Sequence, residues 1–291
     1  MKKLIEFKKQ RELGEIISDT FAFIREEFNP FLKTVLQISG PYLILFLISM
    51  SFYIYTSGDL FNFKIGEDFS NISSLPLMFG SLLLFMITGV LAYVFANSAV
   101  LHYIKSYIEN EGNVNLEEVK NNVKQTLWGF LGLGILKWMT LIFAIVLCFL
   151  PVLYAMVPMY VIFSIYIFEN KDATDSYSFS FTLINSDFWM TLFTIIILGF
   201  IVMTASYVFS LPAAIYSIIK MGIFSGEMDP ESMMDFVDPV YILLNIFSYL
   251  FKFLLNLILT VSSAFIYFNL NEKLNFTGTY ERIQSLGKKE D

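Results

Sequence analysis

Apolar positions in this chain arrive in long unbroken blocks rather than in the alternation of a half-buried strand. Acidic residues are absent from 69–108, 119–168, 188–226 and 239–271, and apolar blocks of this length belong to helices that cross about 30 Å of hydrocarbon in roughly 20 residues. The pattern predicts an all-α, six-span polytopic membrane protein with spans near 35–56, 77–101, 127–149, 152–168, 188–210 and 243–269. Two blocks need dividing. Trp138–Phe168 carries no charge, and Pro151 and Pro158 favour a tight reversal near Pro151 over one tilted helix. Phe188–Ile219 would extend about 48 Å as one helix, so Pro212 is expected to end the fifth span and send the following AAIYSIIK along the outer interface.

Shorter amphipathic stretches precede alternate spans. Leu13, Ile16, Ile17, Phe21, Ile24 and Phe28 recur at steps of three and four. Ahead of the third span, Asn115 and Glu118 have capping-box spacing, with Leu116, Val119, Val123 and Leu127 on one face. Ahead of the fifth, Asp172 is placed to cap a helix carrying Ala173, Tyr177, Phe181 and Ile184. Each stretch meets the membrane at aromatic residues: Phe28 and Phe31, Trp128 and Phe130, Phe188 and Trp189. Three units, each a surface helix followed by a two-span hairpin, fit this arrangement. So does the general tendency of connections beside membranes to be amphipathic. The expected divisions are an amphipathic N-terminal segment over 1–34, a six-helix transmembrane domain over 35–270 and a tail over 271–291.

Charge orients the layout. Of the 19 Lys and Arg residues, 15 fall on the side that holds both ends, two (Lys64, Lys220) on the other, and two (Lys137, Lys252) inside spans. The excess of cations places both ends in the cytoplasm. The N-terminal stretch lacks the apolar core of a signal peptide, so no cleavage is expected. Of the 291 residues 56% are hydrophobic and 15% charged, and the mean hydropathy is +0.63. These values are incompatible with a soluble enzyme. A net charge of −7 leaves no basic footprint for nucleic acid.

Two segments resemble a known family. LGEIISDTFAFIREEFNPFLKTVL near the start, and FSIYIFENKDATDSYSFSFTLINSDFWMTLF with its span-ending Glu169 and aromatic re-entry at Phe188 and Trp189, resemble the membrane domain attached to some bacterial glycerophosphodiester phosphodiesterases and found alone in other bacterial membrane proteins. Gly14, Glu15, Phe21 and Leu183 belong to the same short signatures, and the tail FIYFNLNEKLNFTGTYERIQSLG is similar to endings of stand-alone Bacteroidetes-type members. The resemblance implies a six-helix inner-membrane fold. It carries over no catalytic role, because the phosphodiesterase chemistry of fused relatives belongs to a separate barrel with paired acids and histidines.

Candidate chemistry is sparse. Lys137 and Lys252 each fall about 11 residues into a span, where a cation is expensive and marks an anion or lipid-phosphate contact unless it snorkels along aromatic neighbours such as Trp138 and Phe253. Asn97, His102, Asn245, Asn256, Ser262 and Ser263 are expected to hydrogen-bond between helices. Lone His102 and lone Cys148 offer neither a metal centre nor an activated thiol. Glu227, Asp229 and Glu231 alternate like the opening of an EF-hand, but Ser232 replaces the turn glycine and Asp238 the closing glutamate. Asp172, Asp175 and Asp187 suit helix starts, and Gly129, Gly132 and Gly134 suit close helix contact. No acid falls inside a span, which argues against proton-coupled transport.

The expected function is a membrane subunit or scaffold with no catalytic residue, metal or cofactor, whose partners are membrane lipids and other membrane proteins. Two alternatives stand beside it: a transporter or lipid-handling protein with an anion cavity lined by Lys137 and Lys252, and an interfacial lipid-modifying enzyme with Glu169 as its first candidate.

Overall fold

A computed structural model describes residues 4–61, 75–147, 149–220 and 237–286. These form eight α-helices, with a single 3-10 turn at Ile184–Ser186 and no strand among the described residues: α1 Leu13–Phe61, α2 Leu75–Glu109, α3 Leu116–Leu147, α4 Phe149–Glu169, α5 Ala173–Leu183, α6 Phe188–Lys220, α7 Pro239–Asn275 and α8 Thr277–Leu286. All but α5 and α8 are long and apolar enough to cross a membrane. The architecture is all-α and six-span. Cys148, Lys64 and the acidic run Glu227–Asp235 lie outside the described residues.

Helix ends follow local chemistry. After α2 the chain turns through Glu111 and Gly112, both at positive φ, and the Gly112 amide reaches back to the Tyr107 carbonyl at 2.8 Å, a closure that spends a carbonyl the helix end leaves open. Asn115 Oδ1 then accepts from the amides of Glu117 and Glu118. Half of the expected capping box forms; the Glu118 carboxylate turns to Ser106 and Asn110 instead. Asp172 occupies the N-cap position of α5 without a side-chain cap bond.

Two boundaries differ from the sequence pattern. The α3–α4 boundary does not: α3 ends at Leu147 and α4 begins at Phe149, near Pro151 as expected. Pro151 sits in the first turn of α4, where its missing N–H has no carbonyl to meet in any case. Pro212 does not end a span: α6 runs through it for 33 residues to Lys220, since an otherwise apolar helix in lipid loses less at one missing bond than by exposing its backbone. The amphipathic stretch that opens at Leu13 is no separate surface helix. It is continuous with the first span in a 49-residue α1, just as α3 joins its amphipathic start to its span, and α7 runs past 270 to Asn275. Only α5 stands alone before a hairpin.

By backbone contact the chain divides into two compact units, one of Met1–Ile38, Val94–Ile201 and Leu257–Asp291, the other of Ser39–Tyr93 and Val202–Asn256. In the first, α2 over 94–107, α4 over 155–167 and α7 over 260–272 are buried on nearly every face, which is what a helix apolar all round requires. The start of α1 packs here through Ile16, Thr20, Phe23, Glu27 and Phe31, while Phe21 and Phe28 turn outward. In α3, Val119, Val123 and Phe130 face inward. Helix α5 buries Ser176, Ser180 and Leu183 and touches α3 through a Tyr177–Thr140 hydroxyl pair at 2.9 Å.

In the second unit, stacked rings at Phe46–Phe85 (5.3 Å) and Phe209–Phe251 (4.2 Å) join α1 to α2 and α6 to α7, and hydroxyl pairs link Ser49 to Thr88 and Thr56 to Ser81. Asp238 caps α7 through the Tyr241 amide at 2.9 Å, accepts from the Tyr216 hydroxyl and pairs with Lys220 at 3.1 Å. The hydroxyl and amide bonds, with Lys220 adding to them, hold its pKa down to about 2. Asp238 is thus a helix cap and ion-pair partner.

Candidate functional site

The centre of the first unit gathers polar groups that sequence reading treated singly. Tyr160 shares a hydroxyl pair with Ser262 at 2.5 Å and donates to the Leu259 carbonyl at 2.9 Å, while Ser164 pairs with Ser263 at 2.9 Å. These contacts lock α4 to α7. Asn97 on α2 accepts from Thr260 on α7, and His102 Nε2 meets the Thr126 hydroxyl of α3 at 2.9 Å. Among the described residues Asn245 bonds only its own helix, at the Tyr241 carbonyl. Interhelical bonds of this kind contribute about 0.6–2 kcal/mol each. Two buried polar atoms one turn apart on α2, Ser98 Oγ and His102 Nδ1, have no hydrogen-bond partner among the described residues.

The residues that sequence reasoning missed sit around the chain ends. Residues 4–12 are not helical, yet Phe7 and Arg11 are buried. Phe7 stacks on Phe265 at 4.3 Å and meets Phe23 and Tyr107 edge-on. The Arg11 guanidinium donates to Asp19 Oδ2 at 2.8 Å, to the carbonyls of Phe7 (2.7 Å) and Lys9 (3.2 Å), and to that of Glu6. It lies 4.8 Å from the Phe265 ring centroid. Its backbone amide reaches Asn269 Oδ1 at 2.7 Å. Burial lowers the Arg11 pKa, and Asp19 acts the other way. A guanidinium stays charged regardless, so Arg11 clamps the N-terminal segment to α1 and α7.

Glu27 is buried and accepts from Tyr103 at 3.2 Å. One signal could have found it: Glu27 continues the inward line of Ile16, Thr20, Phe23 and Phe31, so a charge lies in a core stripe. Arg11 has no such signal, because its neighbours read as an ordinary solvated run.

Glu272, buried near the end of α7, receives the amides of Gly278 (2.7 Å) and Thr279 (2.9 Å) and the Thr279 hydroxyl (2.6 Å). Burial pushes its pKa up, but these donors outweigh burial and hold it below the ordinary value. The sign then follows: a depressed folded-state pKa contributes stability that is present above the unfolded glutamate value of about 4.3 and lost as pH falls through the lower folded value. Thermal unfolding of the full chain in detergent is expected to lose part of its midpoint between pH 6 and pH 3. In Glu272→Gln that acid-dependent part is expected to shrink.

Glu169 is not isolated. It accepts from Tyr267 at 2.7 Å and stands 3.6 Å from Lys171. Asp187 pairs with Lys273 at 2.5 Å. Lys137, in the first unit, lies 5.1 Å from the Phe163 ring centroid, and Lys252, in the second, 5.0 Å from that of Tyr249. Each ammonium therefore has an aromatic face beside it, worth about 0.5–2 kcal/mol, supplied by residues other than the sequence neighbours Trp138 and Phe253. A Cβ added at Gly129 would run into the Tyr166 side chain, whereas one at Gly132 would meet nothing within 4 Å and one at Gly134 only Phe163 in ordinary contact. No group of three or more metal-ligating side chains is found among the described residues.

The chain matches no protein-family model, no curated protein and no solved structure.

Proposed function

We propose that this chain is a non-catalytic membrane subunit or scaffold of a bacterial inner membrane, with both ends in the cytoplasm and membrane proteins as its partners. On this reading it is a relative of the phosphodiesterase-linked membrane domain that its segments around Gly14 and Glu169 resemble. The observation that carries the reading is where the polar groups of the first unit spend their bonds. Asn97 with Thr260, Tyr160 with Ser262 and Ser164 with Ser263 close helix against helix, and the buried Arg11 is consumed by carbonyls of its own segment. Side chains arranged in this way build a rigid framework rather than present donors to a substrate. Purification from native membranes in mild detergent after brief crosslinking is the test: the reading expects a reproducible partner in near-constant ratio, and recovery of the chain alone contradicts it.

One observation favours a second reading. Glu169 has both a hydroxyl and an ammonium within reach, so a lipid-modifying acid–base step would have its second player there. Phospholipid profiles of cells carrying the wild-type chain or Glu169→Gln discriminate: a species that changes only with the wild type supports it, and identical profiles remove it.

A further inference from the structure

Helix α8 is amphipathic in the inverted sense. Its inward side is Gly278, flanked by two half-exposed charged residues, Glu281 and Arg282. Gly278 sits against the Lys8 backbone, with Glu281 paired to Lys8 at 2.6 Å on one flank and Arg282 paired to Glu6 at 3.3 Å on the other. The outward side is apolar: Phe276, Tyr280 and Ile283 are 47%, 63% and 59% exposed. At 100° per residue Tyr280 and Ile283 lie about 60° apart on α8, opposite Gly278, and Phe276 immediately precedes the helix. In water, leaving the ring-bearing side out forfeits the hydrophobic gain of about 25 cal/mol per Å² of apolar surface.

The cover for this stripe is indicated by what α8 is tied to. Only Phe276 separates it from α7, a helix apolar enough to cross a bilayer, and one residue spans only about 3.5 Å. The stripe also continues an exposed apolar surface already present on the last turn of α7 at Leu274, 41% exposed. Tyr and Phe are the residue types favoured at the headgroup boundary.

We propose that α8 is an interfacial anchor: Phe276, Tyr280 and Ile283 insert into the phospholipid headgroup and upper acyl region of the membrane that α7 crosses, while the opposite face holds the N-terminal segment through Gly278, Glu281 and Arg282. The lipid surface, not a cytosolic protein, is the occupant. Anchored in this way, α8 fixes the N-terminal segment at the membrane surface, which a bare tail would not do.

The test uses the full chain in a Cys148→Ser background, reconstituted in vesicles of phosphatidylethanolamine and phosphatidylglycerol with no other protein present. An environment-sensitive fluorophore is attached at Tyr280→Cys, at Ile283→Cys or, as the charged-face control, at Glu281→Cys, where Gly278 against Lys8 and the Arg282–Glu6 pair still hold the face. Probes at 280 and 283 are expected to be quenched by lipids labelled near the headgroup and to be about threefold less sensitive to aqueous iodide than the probe at 281. Equal iodide quenching at all three positions, without lipid quenching, overturns the anchor. Shielding that appears only when a cytosolic fraction is added overturns it in favour of a protein partner. Tyr280→Ser with Ile283→Ser gives a second readout: trypsin cleavage at Lys8 and Lys9 is expected to quicken in vesicles but not in detergent micelles that cover the stripe in both chains, and an unchanged rate in vesicles counts against the anchor.

Discussion

Replacing Arg11 with alanine is expected to release the N-terminal segment and to lower the thermal midpoint of the detergent-solubilised chain more than any other single substitution outside its spans. The side chain is fully enclosed and is the donor for the carbonyls of Phe7, Lys9 and Glu6 and for Asp19. Alanine removes their shared donor, leaving the Phe7 carbonyl with the Lys9 amide and Asp19 with the Lys9 ammonium, and uncovers Phe265. Removing one member of a buried, hydrogen-bonded charge pair costs about 3–5 kcal/mol, which for a chain of this size corresponds to roughly 10 °C. Arg11→Lys keeps the charge but not the planar fork that reaches several acceptors at once, so it should recover less than half of the loss. Trypsin reports the local event, since Lys8 and Lys9 should become cleavable at temperatures where the spans remain folded. A midpoint within about 1 °C of wild type for Arg11→Ala, with unchanged cleavage, would show that the segment is held by contacts other than the Arg11 guanidinium.

Gly278→Ala is expected to run against the ordinary helix scale. Within a helix, alanine normally gains about 1 kcal/mol over glycine. At Gly278, however, an added Cβ would overlap the carbonyl oxygen of Lys8 and stand 2.8 Å from its Cβ. The obstacle is backbone, so α8 or the N-terminal segment must move. Overpacking of this kind costs about 1–3 kcal/mol, and it should separate the Lys8–Glu281 pair. Zero-length crosslinking between that amine and carboxylate, efficient at 2.6 Å, should be lost. Gly199→Ala is the internal control, because nothing lies within 4 Å of its added Cβ; it should leave stability unchanged or slightly raised. Equal effects at the two glycines would mean that α8 does not rest on the N-terminal segment.

The spans were legible because acid-free blocks of about 20 residues can hide their backbone in lipid only as helices. The facing of α1 was less so. Its more apolar line, through Phe21 and Phe28, turns outward, and the mixed line Ile16, Thr20, Phe23, Glu27, Phe31 turns in. When the surroundings are lipid, the most hydrophobic face is no longer the one driven to the core, so a rule drawn from water rotates the helix by about one residue. In α3, whose start is flanked by Glu117, Glu118 and Lys120, the rule held, and Val119 and Val123 face inward. Pro212 misled for a related reason: a proline that ends helices in water is absorbed in α6. The buried polar pairs of the first unit were expected as a class from Asn97, Ser262 and Ser263. Their partners Thr260, Tyr160 and Ser164 could not be assigned without knowing which helices adjoin. Arg11 and Gly278 were invisible, since each matters only through a backbone brought to it from the other end of the chain.

The account rests on a chain that crosses the bilayer six times and begins and ends on one face. Single cysteines introduced at Lys3 and at Glu290 in a Cys148→Ser background, treated with a membrane-impermeant maleimide in intact spheroplasts and in inverted vesicles, test this directly. Both sites should label in inverted vesicles and neither in spheroplasts; labelling of one site in each preparation would require an odd number of crossings and contradict the six-span arrangement.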